Sequence, residues 1–349
     1  MAPRAAPGDR WVYHDGDFLR AGEVRLGPGT QGLHYGTGVF EGIRAYLDPR
    51  VSCLHILKAA EHYRRMLDSA LLLRLRIDHT AQELVDITGE LLRRSEHRGD
   101  VYIRPLAYKL ALEPGTAFGV RLRGVSTGLT ILSMPMGDYI PRSGIRCAVA
   151  SWRRIPGSSL PARAKITGGY ASNALAVDEA TAAGYDDAIL LNQRGEVAEA
   201  STANVFIVSG GRVVTPGADA DLLEGITRAI AIEILRDETG IQTEQRAVAR
   251  CELYSADEIF LTGTGCQIVP VTEIDGRPVG SRRTGPLTER VRAVYNQAVR
   301  GRDPRYQHWL TPVQLERPPP RPRDPAGHGG SARANDPAPR QPGTAGARS

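Results

Sequence analysis

The sequence predicts a mixed α/β (α+β) protein in two domains, a smaller N-terminal α/β domain followed by a larger, strand-rich one with flanking helices. Three observations carry that prediction. Short strand-like runs, such as Val101–Leu112, Asp187–Asn192 and Asn204–Val208, alternate with runs of helical period, such as Lys58–Leu73 and Leu222–Arg236. The stretch Leu132–Gly144 (LSMPMGDYIPRSG) breaks the pattern with Pro135, Gly137, Pro141 and Gly144 and reads as an interdomain loop. Residues 317–349 change composition altogether. The division expected is therefore 1–134, a linker over 135–146, 147–316, and a tail over 317–349.

With 349 residues, 41% of them hydrophobic, the chain is long enough for two modest cores. No run of about 18 apolar residues is present to span a membrane, and MAPRAAPGDR lacks the apolar segment of a signal peptide. Cys53, Cys147, Cys251 and Cys266 are scattered without metal-site spacing, so reduced thiols, a cytoplasmic setting and no metal are expected. The net charge of +5 would suit a nucleic-acid binder, but its location argues otherwise. Six arginines and two aspartates give residues 317–349 a charge of +4, which leaves the body near neutral. That Pro/Gly/Ala/Arg-rich tail has too little apolar surface to offset its ordering entropy and is expected to be disordered. Its composition favours an extension without a contact function over an arm for RNA or membrane.

In chain order, Trp11-Val12-Tyr13 and Asp17–Val24 read as a hairpin turning at His14-Asp15-Gly16. Gln31–Tyr46 (QGLHYGTGVFEGIRAY) carries Gly32, Gly36, Gly38 and Gly42; close packing or a ligand explains these better than a plain amphipathic helix does. Val51–Leu57 is a strand, Lys58–Leu73 a helix carrying Arg64 and Arg65, and Ala81–Leu92 a second amphipathic helix. On the strand Val101–Leu112, alternation puts Tyr102 and Arg104 on one face, where together they suit a carboxylate. Lys109 reads as a surface residue.

Beyond the linker, Ala171–Ala183 is a helix ended by Gly184. Asp187–Asn192 and Val197–Ala200 are strands joined by a turn at Gln193-Arg194-Gly195, and Asn204–Val208 is the next strand. Gly225-Ile226-Thr227 opens a helix, whose free N–H groups and dipole make an anion site. Glu258–Thr264 runs into the turn Gly263-Thr264-Gly265-Cys266, Ile268–Val279 is a hairpin turning at Asp275-Gly276, and Thr284–Gln297 is the last helix.

One residue stands out chemically. The chain has only three lysines, Lys58, Lys109 and Lys165, among its 44 basic residues. Guanidinium stays protonated, whereas a partly desolvated amine can lose its proton and attack a carbonyl carbon. Ala162, Ala164 and Ile166 give Lys165 such surroundings, and Gly168-Gly169 allow close approach; the competing reading is a loop lysine at the surface. Glu199, between Ala198 and Ala200, is either solvent-facing or a buried acid that needs a partner.

The run Lys165-x-x-Gly168-x-Tyr170, followed by GEVAEASTANVFIV, resembles the core of the fold-type IV pyridoxal-phosphate enzymes, and within them the branched-chain amino-acid aminotransferases. LHYGTGVFEGIR is similar to the same family, and the resemblance spans roughly residues 10–315. It implies a C-terminal domain that is β-barrel-like, pyridoxal 5'-phosphate as cofactor, and a homodimer. It places the covalent attachment of the cofactor and proton shuttling on Lys165, the bond to the phenolic oxygen on Tyr170, and the hold on the pyridine nitrogen on Glu199. An acidic partner there keeps the ring protonated and makes it an electron sink.

The resemblance also assigns the phosphate to Arg65, Gly225, Ile226, Thr227 and Thr264, selecting Arg65 over Arg64. Tyr35 and Phe40 are implied in the substrate side-chain pocket, partly across a dimer interface. Arg104 would read the distal carboxylate of glutamate, with Tyr102 and the backbone at Gly265 and Cys266 on the α-carboxylate. Tyr139 matches a position on a loop that closes the pocket. Met136 stands where some relatives carry tryptophan, which leaves the side-chain preference open. Cys266 as a catalytic thiol has no histidine nearby in sequence to support it.

The expected reaction interconverts branched-chain or related hydrophobic L-amino acids and their 2-oxo acids, with 2-oxoglutarate and glutamate as the second pair. Two alternatives stay open at this point: another fold-type IV reaction (aminodeoxychorismate lyase or D-amino-acid transaminase), and a non-catalytic scaffold with a basic tail.

Overall fold

In the computed structural model, which describes residues 9–112, 119–137, 141 and 143–315, two sheets carry the chain. The first has eight strands and is antiparallel throughout. Its order runs Leu310–Gln314, Cys53–Leu57, Ile43–Asp48, Val101–Leu112, Val125–Pro135, Trp11–His14, Asp17–Arg20, with Gly38–Phe40 paired to Val101–Leu112. The helices Ala59–Leu72 and Ala81–Arg94 cover it, burying Tyr63, Met66, Leu84 and Leu91 against Ile43, Leu54 and Ile103. Thr80 and Glu83 form a reciprocal cap that starts the second of these helices, each side chain bonded to the other's backbone N–H.

The second sheet has nine strands, mixed in direction, and forms a half-barrel. Its centre is the antiparallel set Asn204–Ser209, Glu258–Gly263 and Gln267–Ile274, followed by Ile145–Arg153 and Asp187–Leu191 in parallel. The helices Ile226–Thr239 and Pro286–Ala298 pack on one face over Phe206 and Phe260, whose rings stack 4.7 Å apart. Tyr46 of the first sheet joins this cluster, its hydroxyl 3.0 Å from that of Tyr295. The helix Tyr170–Ala182 covers the strands at the other flank through Ala176 and Ala180.

Four local readings change. A five-residue helix, Gln31–Tyr35, opens the glycine-rich stretch, and Gly36 ends it in the left-handed conformation. The linker is shorter than the prolines suggested: Val125–Pro135 is a strand that buries Leu129, Ile131 and Ser133, and Pro135 is tolerated because it sits at the strand's end. The last strand, Leu310–Gln314, returns to the first sheet and pairs with Cys53–Leu57. Lys109 is not at the surface. It is 2% exposed, and its Nζ donates to the carbonyls of Val125 (3.0 Å) and Arg74.

That position yields a stability test. Lys109→Met keeps the stem but leaves the two carbonyls without their donor, an expected loss on the order of 2 kcal/mol. Urea denaturation measures it, and an unchanged midpoint would contradict the bridging role.

Candidate functional site

A cleft with about 420 Å³ of empty volume opens where the second sheet meets the helix Ala59–Leu72. Lys165, Tyr170 and Glu199 line it, as do Arg65, the Gly225–Thr227 segment and Thr264. Every residue that the sequence pointed to for a cofactor is therefore brought to one cavity. Arg64, by contrast, is exposed on the outer side of its helix.

Lys165 is delivered by a short segment stitched onto residues 36–40 and the helix Ala59–Leu72. Its carbonyl accepts from Phe40 N (3.1 Å), and Ile166 bridges to Val39. Lys165 N donates to Ser69 Oγ at 3.1 Å, and Thr167 Oγ1 donates to the carbonyls of Gly36 and Gly38. A Cβ at Gly36 would lie 2.5 Å from Gly168 Cα, so the glycine there is required by close approach. The amine donates to Tyr170 Oη at 2.6 Å and lies 4.8 Å from the centre of the Phe40 ring. Desolvation lowers its pKa to about 8, partly opposed by Glu41. Burial also raises the Tyr170 phenol well above its ordinary value.

Glu199 is buried and partnered. Arg154 Nη2 lies 3.1 Å from its Oε1, and Leu223 N donates to Oε2 at 3.2 Å. Burial still raises the carboxyl above the usual range, with Arg154 opposing. Also lining the cleft, the helix Ile226–Thr239 begins at Gly225 with no side-chain cap, which leaves its first N–H groups available to an anion. Gly225 has to be glycine, since a Cβ would fall 2.1 Å from Asn204 Oδ1. Arg65 Nη1 reaches this end, donating to the Glu224 carbonyl at 3.0 Å. The cavity thus offers cationic and N–H donors, a buried carboxyl, and an amine with a lowered pKa. Those are the contacts a protonated heteroaromatic ring with an aldehyde and a phosphate arm requires, so the residues present fit pyridoxal phosphate.

The expected substrate residues fall into two groups. Phe40 packs edge-on against Tyr170 at 4.7 Å, Arg104 Cζ lies 4.7 Å over the Phe40 ring, and Arg104 Nη2 donates to Tyr102 Oη at 2.7 Å. Tyr102 and Arg104 are thus linked to Lys165 through Phe40, and Arg104 Nε is buried with no hydrogen-bond partner among the described residues. Gly265 and Cys266 follow Thr264 at the rim. The Gly265 carbonyl accepts from Arg44, and burial pushes the Cys266 thiol up to about 12, against a thiolate nucleophile. Tyr35 is not brought to this cleft; it is 40% exposed on the short helix Gln31–Tyr35. Tyr139 lies outside the described residues.

Several participants escaped the sequence reading. Arg154 holds Glu199 from just beyond the strand Ile145–Arg153, 45 positions earlier in the chain, with no local signal. Glu41 is fully buried and bonded to both Arg65 and His62. Its place inside the apolar run VFEGI was the available clue, since a buried acid needs partners. Arg44, also buried, ties the carbonyl of Met136 to that of Gly265.

The pattern of the amino-transferase class IV family matches residues 38–274. A probable branched-chain-amino-acid aminotransferase of Aquifex aeolicus is 45% identical over 306 residues, 87% of this chain and 96% of the relative. The branched-chain aminotransferase from the thermophilic archaeon Thermoproteus uzoniensis, solved with norvaline, superposes with a TM-score of 0.82 at 39% identity, covering 88% of this chain and all of its own. The PLP form of the Thermobaculum terrenum enzyme gives 0.84 at 34% identity over 89% of this chain and all of that one. The chain belongs to the class IV aminotransferases, in their branched-chain aminotransferase group, and is a pyridoxal-phosphate-dependent transaminase.

Proposed function

We propose that the protein interconverts branched-chain, or closely related hydrophobic, L-amino acids and their 2-oxo acids, with glutamate and 2-oxoglutarate as the other pair. The observation that carries this reading is the sharing of one cleft by Lys165 and Glu199, with Arg65 and an uncapped helix start beside them. When bound, the cofactor supplies an electron sink for the substrate's α-carbon.

The roles of the chain's own groups follow from their surroundings. Lys165 Nζ, with its pKa lowered to about 8, is the base that takes and returns the α-proton. Tyr170 Oη, 2.6 Å away, orients that amine. Glu199, partnered by Arg154, provides the acid–base contact for a ring nitrogen. Arg65, Ile226, Thr227 and Thr264 bind the phosphate, and Gly225 gives it room. Phe40 supplies apolar surface for the side chain. Arg104, with its unpartnered Nε, receives the distal carboxylate of glutamate, while Tyr102 and the backbone at Gly265 and Cys266 receive the α-carboxylate. An apolar wall with a guanidinium at its edge is what a pocket needs to accept leucine and glutamate in turn.

A homodimer is part of the same reading. Leu33 is 67% exposed and Tyr35 40%, at the surface rather than in this chain's own cleft, which suits service to the cleft of a second copy. A division into residues 1–134 and 147–316, joined over 135–146, belongs to the same reading, and the final strand crosses back to the first sheet. No helix among the described residues is long and apolar enough to cross a membrane.

Two measurements test the assignment. Lys165→Ala is expected to cut turnover of L-leucine with 2-oxoglutarate by on the order of 10³-fold or more while the protein stays folded; full turnover would refute the role of Lys165. In competitive acylation of the cofactor-free protein, the reactivity of Lys165 should rise with pH to a plateau just above about 8. A profile still rising like that of an ordinary lysine beyond about pH 10 would contradict the desolvated amine.

A further inference from the structure

The helix Ala59–Leu72 carries one stripe of polar residues, His62, Arg65 and Ser69, at i, i+3 and i+7. Ser69 Oγ accepts from Lys165 N and donates to the Arg65 carbonyl at 2.7 Å. The other two residues converge on a carboxylate from a different element. Arg65 Nε donates to Glu41 Oε1 at 2.7 Å and Arg65 Nη2 to Glu41 Oε2 at 2.8 Å. His62 Nδ1 lies 2.7 Å from the same Oε2, with the proton on that nitrogen if the bond is to form with a carboxylate. Glu41 itself is anchored by its backbone, whose N–H donates to the Pro105 carbonyl at 3.0 Å.

This is a two-pronged fork, its carboxylate fully buried and its guanidinium partly so, that takes up the side edge of the guanidinium. Only Nη1 and the outer edge of Nη2 remain, and Nη1 is directed to the Glu224 carbonyl, one residue before the uncapped helix start. Burial alone would raise the Glu41 carboxyl, but Arg65 and His62 outweigh it and hold it at about 2, so the fork stays ionised at any working pH. A lone arginine on a helix surface samples many rotamers, whereas this one is fixed in a single orientation before any anion arrives.

We propose that Glu41, braced by His62, is a positioning residue: it aims Arg65 at the anion end of the cleft and thereby sets the affinity for the phosphate arm of the cofactor. The inference rests on the assignment of Arg65 to that phosphate in the preceding subsection.

The test uses the purified enzyme freed of cofactor and titrates it, by visible absorbance, with pyridoxal 5'-phosphate and with pyridoxal, which lacks the phosphate. Glu41→Gln is expected to weaken pyridoxal 5'-phosphate by about tenfold or more and to leave pyridoxal within about threefold. In an Arg65→Ala background, Glu41→Gln should cause no further loss, because its effect passes through Arg65. Equal weakening of both ligands, or an undiminished effect in the Arg65→Ala background, would overturn the proposal and leave Glu41 a purely structural acid. If Arg65→Ala alone does not weaken pyridoxal 5'-phosphate, the phosphate assignment fails first; if it does and Glu41→Gln does not, only the present inference fails. Should Glu41→Gln not fold, His62→Ala, which keeps the ion pair, carries the same comparison. A selective loss of pyridoxal 5'-phosphate affinity supports the proposal, and loss of both ligands or of neither overturns it.

Discussion

The seam between residues 36–40 and 165–169 is the constraint on which the rest of the structure depends. One backbone bond from Phe40 N to the Lys165 carbonyl, one from Gly168 N to the Gly36 carbonyl, and the two contacts of Thr167 Oγ1 join the two halves of the protein. The glycines at 36 and 168 let the backbones touch where side chains would separate them. The seam runs through Lys165 itself, so the same backbone contacts that hold these two segments together hold the residue that presents the amine. The same seam sets Phe40 against Tyr170, and Arg104 Cζ lies 4.7 Å over the Phe40 ring.

Around this seam the charges are arranged in two buried groups that act in opposite senses. At the anion end, Glu41 is surrounded by Arg65 and His62 and its carboxyl is held low, so the acid is permanently charged and fixes a cation. Glu199 has Arg154 and a backbone donor, yet burial keeps its carboxyl above the ordinary range. An acid in that state gains most from a cationic neighbour, and a protonated ring nitrogen is such a neighbour. Lys165 lies between, its amine lowered by desolvation and by Arg65, and raised by Glu41. Acids pushed apart by their environments, with an amine tuned between them, are what chemistry by proton transfer needs near neutral pH.

Much of this was legible in the sequence, and the limits are physical. Lys165 stood out because a chain that uses arginine elsewhere kept an amine there, and the glycines at 36 and 42 marked close approach: a Cβ at Gly42 would lie 2.3 Å from Tyr102 Oη. Helices with a clear apolar stripe and strands bounded by turns were readable for the same local reasons. What failed was non-local. Lys109 looks like a surface residue because nothing nearby in sequence announces that Arg74 and Val125 will bring carbonyls to it. Arg154 and Glu41 acquire their partners only when separate elements fold together. Pro135 suggested a loop because a proline's effect on a strand depends on whether it falls at the end of the ladder, which the sequence does not state.

The most direct measurement of the central claim uses the scarcity of lysine. Reduction of the enzyme with borohydride after loading with pyridoxal 5'-phosphate, followed by peptide mapping, reports which of the three lysines carries the cofactor. A single adduct, on Lys165, is the predicted result. An adduct on Lys58 or Lys109 with Lys165 unmodified would contradict it.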